Sequence, residues 1–266
     1  MTHVNKYEKG IYIYMDNKKL KNHYNNVYAK GSENYYTFSS YEESISILDY
    51  LKELNGRRVL EIGCGEGGLA SMIAHAGGKV TALDYSNEVV KIAKSKYNLD
   101  NLSFVCDDYK NISEKYDVVV LQGVLEHFDK PFDTLDWVIN NLLEEKGFVI
   151  TSSPSFINPR GYVWMTLQLL FDIPMSLSDL HFLCPFDFKE YCERNQYNME
   201  FKSSNQSWGN GEGMIVDFNK RLRNALRDAN MSNKNVDKLL DWLNKAKDYA
   251  AHDDFTGANV IYRIQP

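Results

Sequence analysis

The 266-residue chain has no apolar run approaching the roughly 20 residues that a membrane-spanning helix needs, so no membrane partner is expected. Its opening residues, MTHVNKYEKG, have neither the apolar core nor the small-residue cleavage pattern of a secretory leader, and a cytoplasmic location is the default expectation. A basic excess is missing as well. Against 30 Lys and Arg stand 36 Asp and Glu, a net charge of −6. Neutralising phosphates takes a basic face, so nucleic acid is not an expected partner. The nearest thing to a basic patch, Lys18, Lys19 and Lys21, reads as a solvated face. Cysteines number only four, and Cys64, Cys106, Cys184 and Cys192 form no C-x-x-C pair and no metal set with histidine. They read as buried reduced thiols, and no metal is expected. Repeats and low-complexity tracts are lacking too.

What is present is an ordinary globular composition, 44% apolar and 25% charged, in a chain long enough for one large domain or two small ones. Its most informative stretch is VLEIGCGEG, residues 59–67. Val59, Leu60 and Ile62 suit a buried parallel strand, and Gly63, Gly65 and Gly67 let the chain turn tightly and bring bare backbone against a ligand.

The surrounding pattern is a strand–helix alternation. Ser40-Tyr-Glu-Glu43 fits a capping box, in which hydroxyl and carboxylate satisfy each other's free amides. It predicts a helix with Ile45, Leu48 and Leu51 on one face, ending near Gly56. Strands follow at Arg57–Ile62, Lys79–Asp84, Leu102–Cys106, Tyr116–Leu121 and Gly147–Ser152. Helices fall between them: Leu69–Ala76, one capped by Ser86, and one over about Phe132–Leu143. Later come a helix Phe186–Asn195, a strand near Tyr197–Lys202, two helices in 217–250 and a last strand Ala258–Ile264. Such alternation implies right-handed βαβ units, a parallel sheet covered on both faces, and ligands at the carboxyl ends of the strands.

Gly63-Cys-Gly-Glu-Gly-Gly68 satisfies the G-x-G-x-x-G fingerprint, and Asp84 ends the second strand where a ribose-binding acid is expected. The loop alone leaves a nicotinamide cofactor and another adenosine ligand both open. Three features favour a cationic adenosine ligand. Glu61, two residues before the first glycine, opposes a pyrophosphate and suits a sulfonium or ammonium. The third strand runs into Cys106-Asp107-Asp108-Tyr109, where a carboxylate can accept the adenine amino hydrogens. The fourth, YDVVVLQ, runs into Gly123-Val-Leu-Glu-His-Phe128.

In that order, VLEIGCGEG, VTALDYS, FVCDDY and YDVVVLQGVLEHF resemble the class I S-adenosylmethionine-dependent methyltransferases, in particular the small-molecule ones, over about residues 40–155. The resemblance implies an α/β, Rossmann-like sheet of seven mostly parallel strands with an antiparallel last strand, helices on both faces and S-adenosyl-L-methionine as cofactor. It implies that Gly63, Gly65 and Gly67 approach the methionine and ribose portions and that Glu61 organises the amino-acid end. Asp84 would take the ribose hydroxyls and Tyr85 would lie against adenine. Asp108, placed by F-x-x-x-D after Phe104, would bond the adenine amino group, with the Tyr109 amide at a ring nitrogen and the backbone around Gln122 near the amino-acid end and the methyl.

Methyl transfer is a direct displacement in which positioning does most of the work, and a neutral hydroxyl must also lose a proton, for which histidine is suited. His127, in the turn after the fourth strand, and His181, after the following cover, are the candidate catalytic groups. Arg160 and Tyr162 in the cover are candidate substrate contacts, Arg160 through a bidentate anion pair. The expected organisation is a single domain over 1–266. Residues 1–40 would be an arm or lid, and 156–182 and 205–255 would be insertions shielding a small-molecule pocket. The expected acceptor is an oxygen of a sugar, nucleotide-sugar or phosphorylated intermediate. An N-methyltransferase, a nicotinamide oxidoreductase and a non-catalytic cofactor-binding module stay open as alternatives.

Overall fold

Apolar strands alternating with amphipathic helices build one seven-stranded sheet in the computed structural model, which describes residues 41–173 and 181–266. In chain order the elements are α1 (Tyr41–Tyr50), β1 (Arg58–Ile62), α2 (Gly68–His75), β2 (Lys79–Asp84), α3 (Asn87–Lys96), β3 (Leu102–Cys106), β4 (Tyr116–Gln122), α4 (Pro131–Leu142), β5 (Leu143–Pro154), α5 (Pro159–Phe171), α6 (Pro185–Asn195), β6 (Asn198–Ser204), α7 (Gln206–Asn210), α8 (Glu212–Asp228), α9 (Val236–Ala246) and β7 (Asn259–Gln265). The strand order is β3-β2-β1-β4-β5-β7-β6. Pairing is parallel from β3 through to β5, and β7 runs antiparallel to both neighbours. The chain winds outward from β1 to β3 and then returns to β4, so the topological switch point lies between β1 and β4, where open α/β sheets open a crevice.

Helix starts follow local chemistry. Ser86 caps α3 by accepting from the Val89 amide at 3.5 Å. Three of the six prolines open helices, at Pro131, Pro159 and Pro185, where the missing N–H costs nothing. One face of the sheet packs Val59, Val80, Val118, Val120 and Ile150 against α1, α2 and α3, and the other packs Leu60, Leu83, Val119, Leu121 and Val149 against α4 and α6. Helices α5, α8 and α9 form a separate core around Trp164, Phe218, Leu222 and Leu240.

Some expectations are corrected. In α1 the buried residues are Glu43, Ser44 and Ile47, continued by the buried Leu51 just past its end, and Ile45 is 40% exposed. A buried glutamate occupies one position of the true stripe, so the apolar pattern alone shifts to the neighbouring face. Ser40, the other half of the expected capping box, lies outside the described residues, as does all of 1–40. β5 runs from Leu143, longer than expected: Leu143 pairs Tyr116, and past a register shift Phe148–Ser152 pair Val118–Gln122. The two helices expected in 217–250 are α8 and α9, and the short α7 before them was not expected. Cys106 is exposed; Cys64, Cys184 and Cys192 are the buried thiols, and all four are free. Among the described residues no helix is long and apolar enough to cross a membrane, and no group of His, Cys, Asp or Glu is arranged to hold a metal ion.

Candidate active site

The loop after β1 is built on left-handed backbone: φ is +75° at Gly63, +52° at Gly65 and +83° at Gly67. At two of these positions no side chain fits. A Cβ on Gly63 would stand 2.6 Å from Val124 Cγ2, and one on Gly67 2.6 Å from the Phe104 ring. The Gly63 and Cys64 amides both donate to the Leu83 carbonyl, at 2.7 and 2.9 Å, which fastens the loop to the end of β2.

Two carboxylates brace this loop. Asp84 accepts the Gly65 amide on Oδ2 at 3.1 Å and the Ser86 amide on Oδ1 at 2.8 Å, and it is 8% exposed. Glu61 is 2% exposed. The Ala70 amide in the first turn of α2 donates to its carboxyl group, a capping contact for a helix that otherwise has no side-chain cap. Glu61 Oε2 has no hydrogen-bond partner among the described residues. Burial, and after it the charge of Asp84, push the Glu61 carboxyl up to about 8. An orphaned carboxylate oxygen facing a second acid is a site for a cation, and it would repel a pyrophosphate. Burial, then Glu61 and Asp84, push the Cys64 thiol up, so it stays protonated.

Farther along the edge, Tyr85 is partly buried behind Asp84. Asp108 is exposed and caps a short 3₁₀ turn over Tyr109–Asn111 by accepting the Lys110 amide at 2.9 Å. Asp107 is turned inward to the Asn111 amide and the Asp108 backbone. Those two bonds outweigh a small desolvation effect and hold its carboxyl below the usual range. The Tyr109 ring packs edge-on against Phe128 and Trp137, with centroids 5.5 and 5.2 Å apart. Gln122 ends β4 with its amide against the Ser44 hydroxyl of α1, at 3.1 Å.

The turn after β4 is a 3₁₀ segment, Leu125–His127, that carries His127 half-buried. His181 is tied to it: its amide donates to the Glu126 carbonyl at 3.2 Å and its Nε2 meets the Asp129 carbonyl at 3.1 Å. Burial lowers the His181 pKa more than the Asp129 and Phe128 carbonyls raise it. The structure thus brings His127 and His181 to one corner.

Arg160 is a correction. Its guanidinium is 3% exposed and pairs at 2.9 Å with Asp217 of α8, itself fully buried. Trp164 Nε1 and Arg221 Nε reach the same carboxylate, at 3.2 and 2.6 Å. The charge of Arg160 is matched inside the α5–α8 core, where a substrate anion would have to displace Asp217. Tyr162, expected beside it as a second substrate contact, lies on the opposite, open face of α5 at 59% exposure.

Glu43 is the residue that local sequence reasoning missed. It is 4% exposed, and the side chains of Ser152, Asn259 and Gln122 hydrogen-bond its carboxyl group. Its spacing of four and eight residues from Ile47 and Leu51 is the signal that places it toward the sheet.

Comparison with known proteins places the family and the fold. A methyltransferase domain family matches residues 59–147. The ubiquinone biosynthesis O-methyltransferase of Actinobacillus pleuropneumoniae is 31% identical over 166 residues, which cover 55% of this chain and 69% of that relative. The malonyl-acyl-carrier-protein O-methyltransferase of Bacillus cereus is 29% identical over 107 residues, 37% of this chain and 38% of its own. Among solved structures, magnesium protoporphyrin IX methyltransferase from Synechocystis with bound S-adenosylhomocysteine matches with a TM-score of 0.52 at 15% identity, over 84% of this chain and 81% of that one. At that identity the likeness is one of fold.

Proposed function

Because the chain belongs to the class I S-adenosylmethionine-dependent methyltransferases, we propose that it methylates an oxygen of a polar small molecule: a sugar, a nucleotide-sugar or a phosphorylated biosynthetic intermediate. The cofactor supplies an electrophilic methyl group on a sulfonium and leaves as neutral S-adenosylhomocysteine. In this reading Glu61, with its buried unpartnered oxygen, faces the positive amino-acid end, and the Gly63, Gly65 and Gly67 backbone lets that end approach. Asp84 takes the ribose hydroxyls with the lone pairs its two amide donors leave. Tyr85 lies against adenine, Asp108 and the Tyr109 amide read its edge, and Gln122 stands at the methyl.

The observation that carries the oxygen acceptor is the 31%-identical relative, named an O-methyltransferase. His127 contacts the acceptor and His181 holds the turn that presents it. Helices α5, α8 and α9, with a core of their own, roof the acceptor side and exclude water. The nicotinamide reading falls with the family assignment.

The test is incubation of the protein with isotopically labelled methyl donor and fractionated metabolite pools, followed by mass spectrometry of labelled products. Label on a product oxygen is expected. Label on nitrogen alone would replace the oxygen reading with an amine acceptor, and cofactor binding with no turnover would leave a binding module.

A further inference from the structure

Under α1 the sheet changes chemistry at one level. Val118 and Val120 of β4 and Phe148 and Ile150 of β5 pack with Ile47 and Leu51 in one apolar cluster. One pleat nearer the carboxyl edge, the same face presents Gln122 and Ser152, paired across β4 and β5. One pleat farther, Asn259 of β7 stands between Pro154 of β5 and Ser204 of β6. Side chains two residues apart on a strand share a face, so Gln122, Ser152, Asn259 and Ser204 form a continuous polar strip. Glu43 covers it, one helical turn before Ile47. Glu61 of β1 pairs with Val120 and so lies on this same face, two residues short of Gln122 and one strand away. The strip therefore begins where the cofactor crevice ends.

The strip is buried but incompletely satisfied. Glu43 Oε1, Asn259 Oδ1 and Ser204 Oγ have no hydrogen-bond partner among the described residues, and their residues are 4%, 5% and 5% exposed. Three buried oxygens facing one edge of a sheet need donors, and native interiors rarely leave such groups unmatched. Hydroxyl groups supply donors without adding charge. A phosphate brings only acceptors and a negative charge beside Glu43, so it is disfavoured here.

We propose that this strip is the acceptor subsite, that it takes a polyhydroxylated small molecule, and that Glu43 receives the proton of the hydroxyl that is methylated. The assignment rests on the oxygen-acceptor reading above. The new oxygen–carbon bond forms as the carbon–sulfur bond of S-adenosylmethionine breaks. The electron pair of that bond passes to sulfur, and the hydroxyl proton passes to a carboxylate oxygen of Glu43. Burial raises the proton affinity of Glu43 above that of an ordinary carboxylate, against the opposing effect of its three hydrogen bonds, which brings it nearer to a useful base.

The experiment uses the full chain with labelled S-adenosylmethionine. The acceptors are glucose, UDP-glucose, 3,4-dihydroxybenzoate, 4-nitrocatechol, ethanolamine and a small-molecule cell extract. Wild type is expected to label a hydroxyl acceptor, and E43Q to lose at least 100-fold in kcat while S-adenosylhomocysteine affinity stays within twofold. E43D should retain about a tenth of the activity. 4-Nitrocatechol, already ionised at neutral pH, should be methylated by E43Q within tenfold of wild type, a rescue that a merely structural glutamate would not give. S204A should raise KM for the hydroxyl acceptor about tenfold with kcat and Tm unchanged. Full turnover by E43Q, failure of the ionised phenol to rescue it, or an unchanged KM in S204A would each overturn the subsite. Label carried only to the nitrogen of ethanolamine, or no label transferred by wild type, would instead overturn the oxygen-acceptor reading and the subsite with it.

Discussion

Glu61 and Asp84 stand near the carboxyl ends of the adjacent parallel strands β1 and β2, and the charge of Asp84 opposes ionisation of the more deeply buried Glu61. One acid is committed to the glycine loop through the Gly65 amide, and the other keeps an oxygen without a partner. Two acids buried side by side repel each other once both ionise, and the proposed cationic cofactor would relieve that repulsion.

That relief is measurable as protons. The folded-state pKa of Glu61, about 8, lies above the unfolded value of 4.5. Between those values Glu61 binds more protons in the folded chain than in the unfolded one, so its own contribution to stability is greatest below about 4.5 and is lost as pH rises through about 8. Thermal melts between pH 6 and 9 should show a steeper loss for wild type than for Glu61→Gln. S-adenosylhomocysteine, whose ammonium group remains, should drive Glu61 to ionise. Calorimetry at pH 7 in buffers of different ionisation enthalpy should then detect release of up to about one proton, absent in Glu61→Gln.

Asp84→Ala removes the acceptor for the Gly65 and Ser86 amides along with the proposed ribose contact. Hydrogen bonds to a charged group are worth roughly 1.5–3 kcal/mol each. The dissociation constant of S-adenosylhomocysteine should rise on the order of 10- to 100-fold by calorimetry, with kcat at saturating cofactor much less affected.

The sheet and the cofactor edge were legible in the sequence because their signals are local. Strand, glycine turn and terminal acid repeat within a few residues, as at Val59–Gly67 and Lys79–Asp84. The acceptor side was not legible, because its contacts join distant segments. Arg160 looks like an anion hook in a loop until α8 brings Asp217 to it, 57 residues away. Glu43 looks like a capping residue because Ser40 precedes it by three. Only the register of β4, β5 and β7 reveals polar partners waiting at its level.

Arg160→Ala separates structure from substrate binding. Burial alone would raise the Asp217 pKa, and Arg160 and Arg221 outweigh it to hold the carboxyl below its usual value. The pair therefore stabilises the fold above about pH 4, and the contribution is lost as pH falls through the depressed folded-state pKa. Removing Arg160 leaves the buried Asp217 carboxylate with Arg221 as its cationic partner and the Trp164 N–H beside it, at a cost of about 3 kcal/mol. The variant should melt on the order of 5–10 °C lower at pH 7. Its affinity for S-adenosylhomocysteine should be unchanged, and KM for the acceptor should shift no more than about twofold.

His127 lies on the Leu125–His127 turn and His181 is bonded to it, but the two should fail in different ways. His127 lies in the turn that follows Gln122, on the proposed acceptor side, so His127→Ala should lower kcat/KM for the acceptor about 100-fold and leave S-adenosylhomocysteine affinity within twofold. His181 acts through the backbone, its ring at the Asp129 carbonyl and its amide at the Glu126 carbonyl. His181→Ala keeps the amide contact and loses the ring contact, so the turn loosens without coming free. Its kcat/KM should drop about tenfold, with faster hydrogen exchange confined to 125–130. His181→Gln, whose amide nitrogen can take the place of Nε2 at the Asp129 carbonyl, should recover part of that loss, while no substitution at 181 should recover His127→Ala. A His127→Ala enzyme with full turnover would remove that side chain from the acceptor site and leave the turn as a purely structural corner.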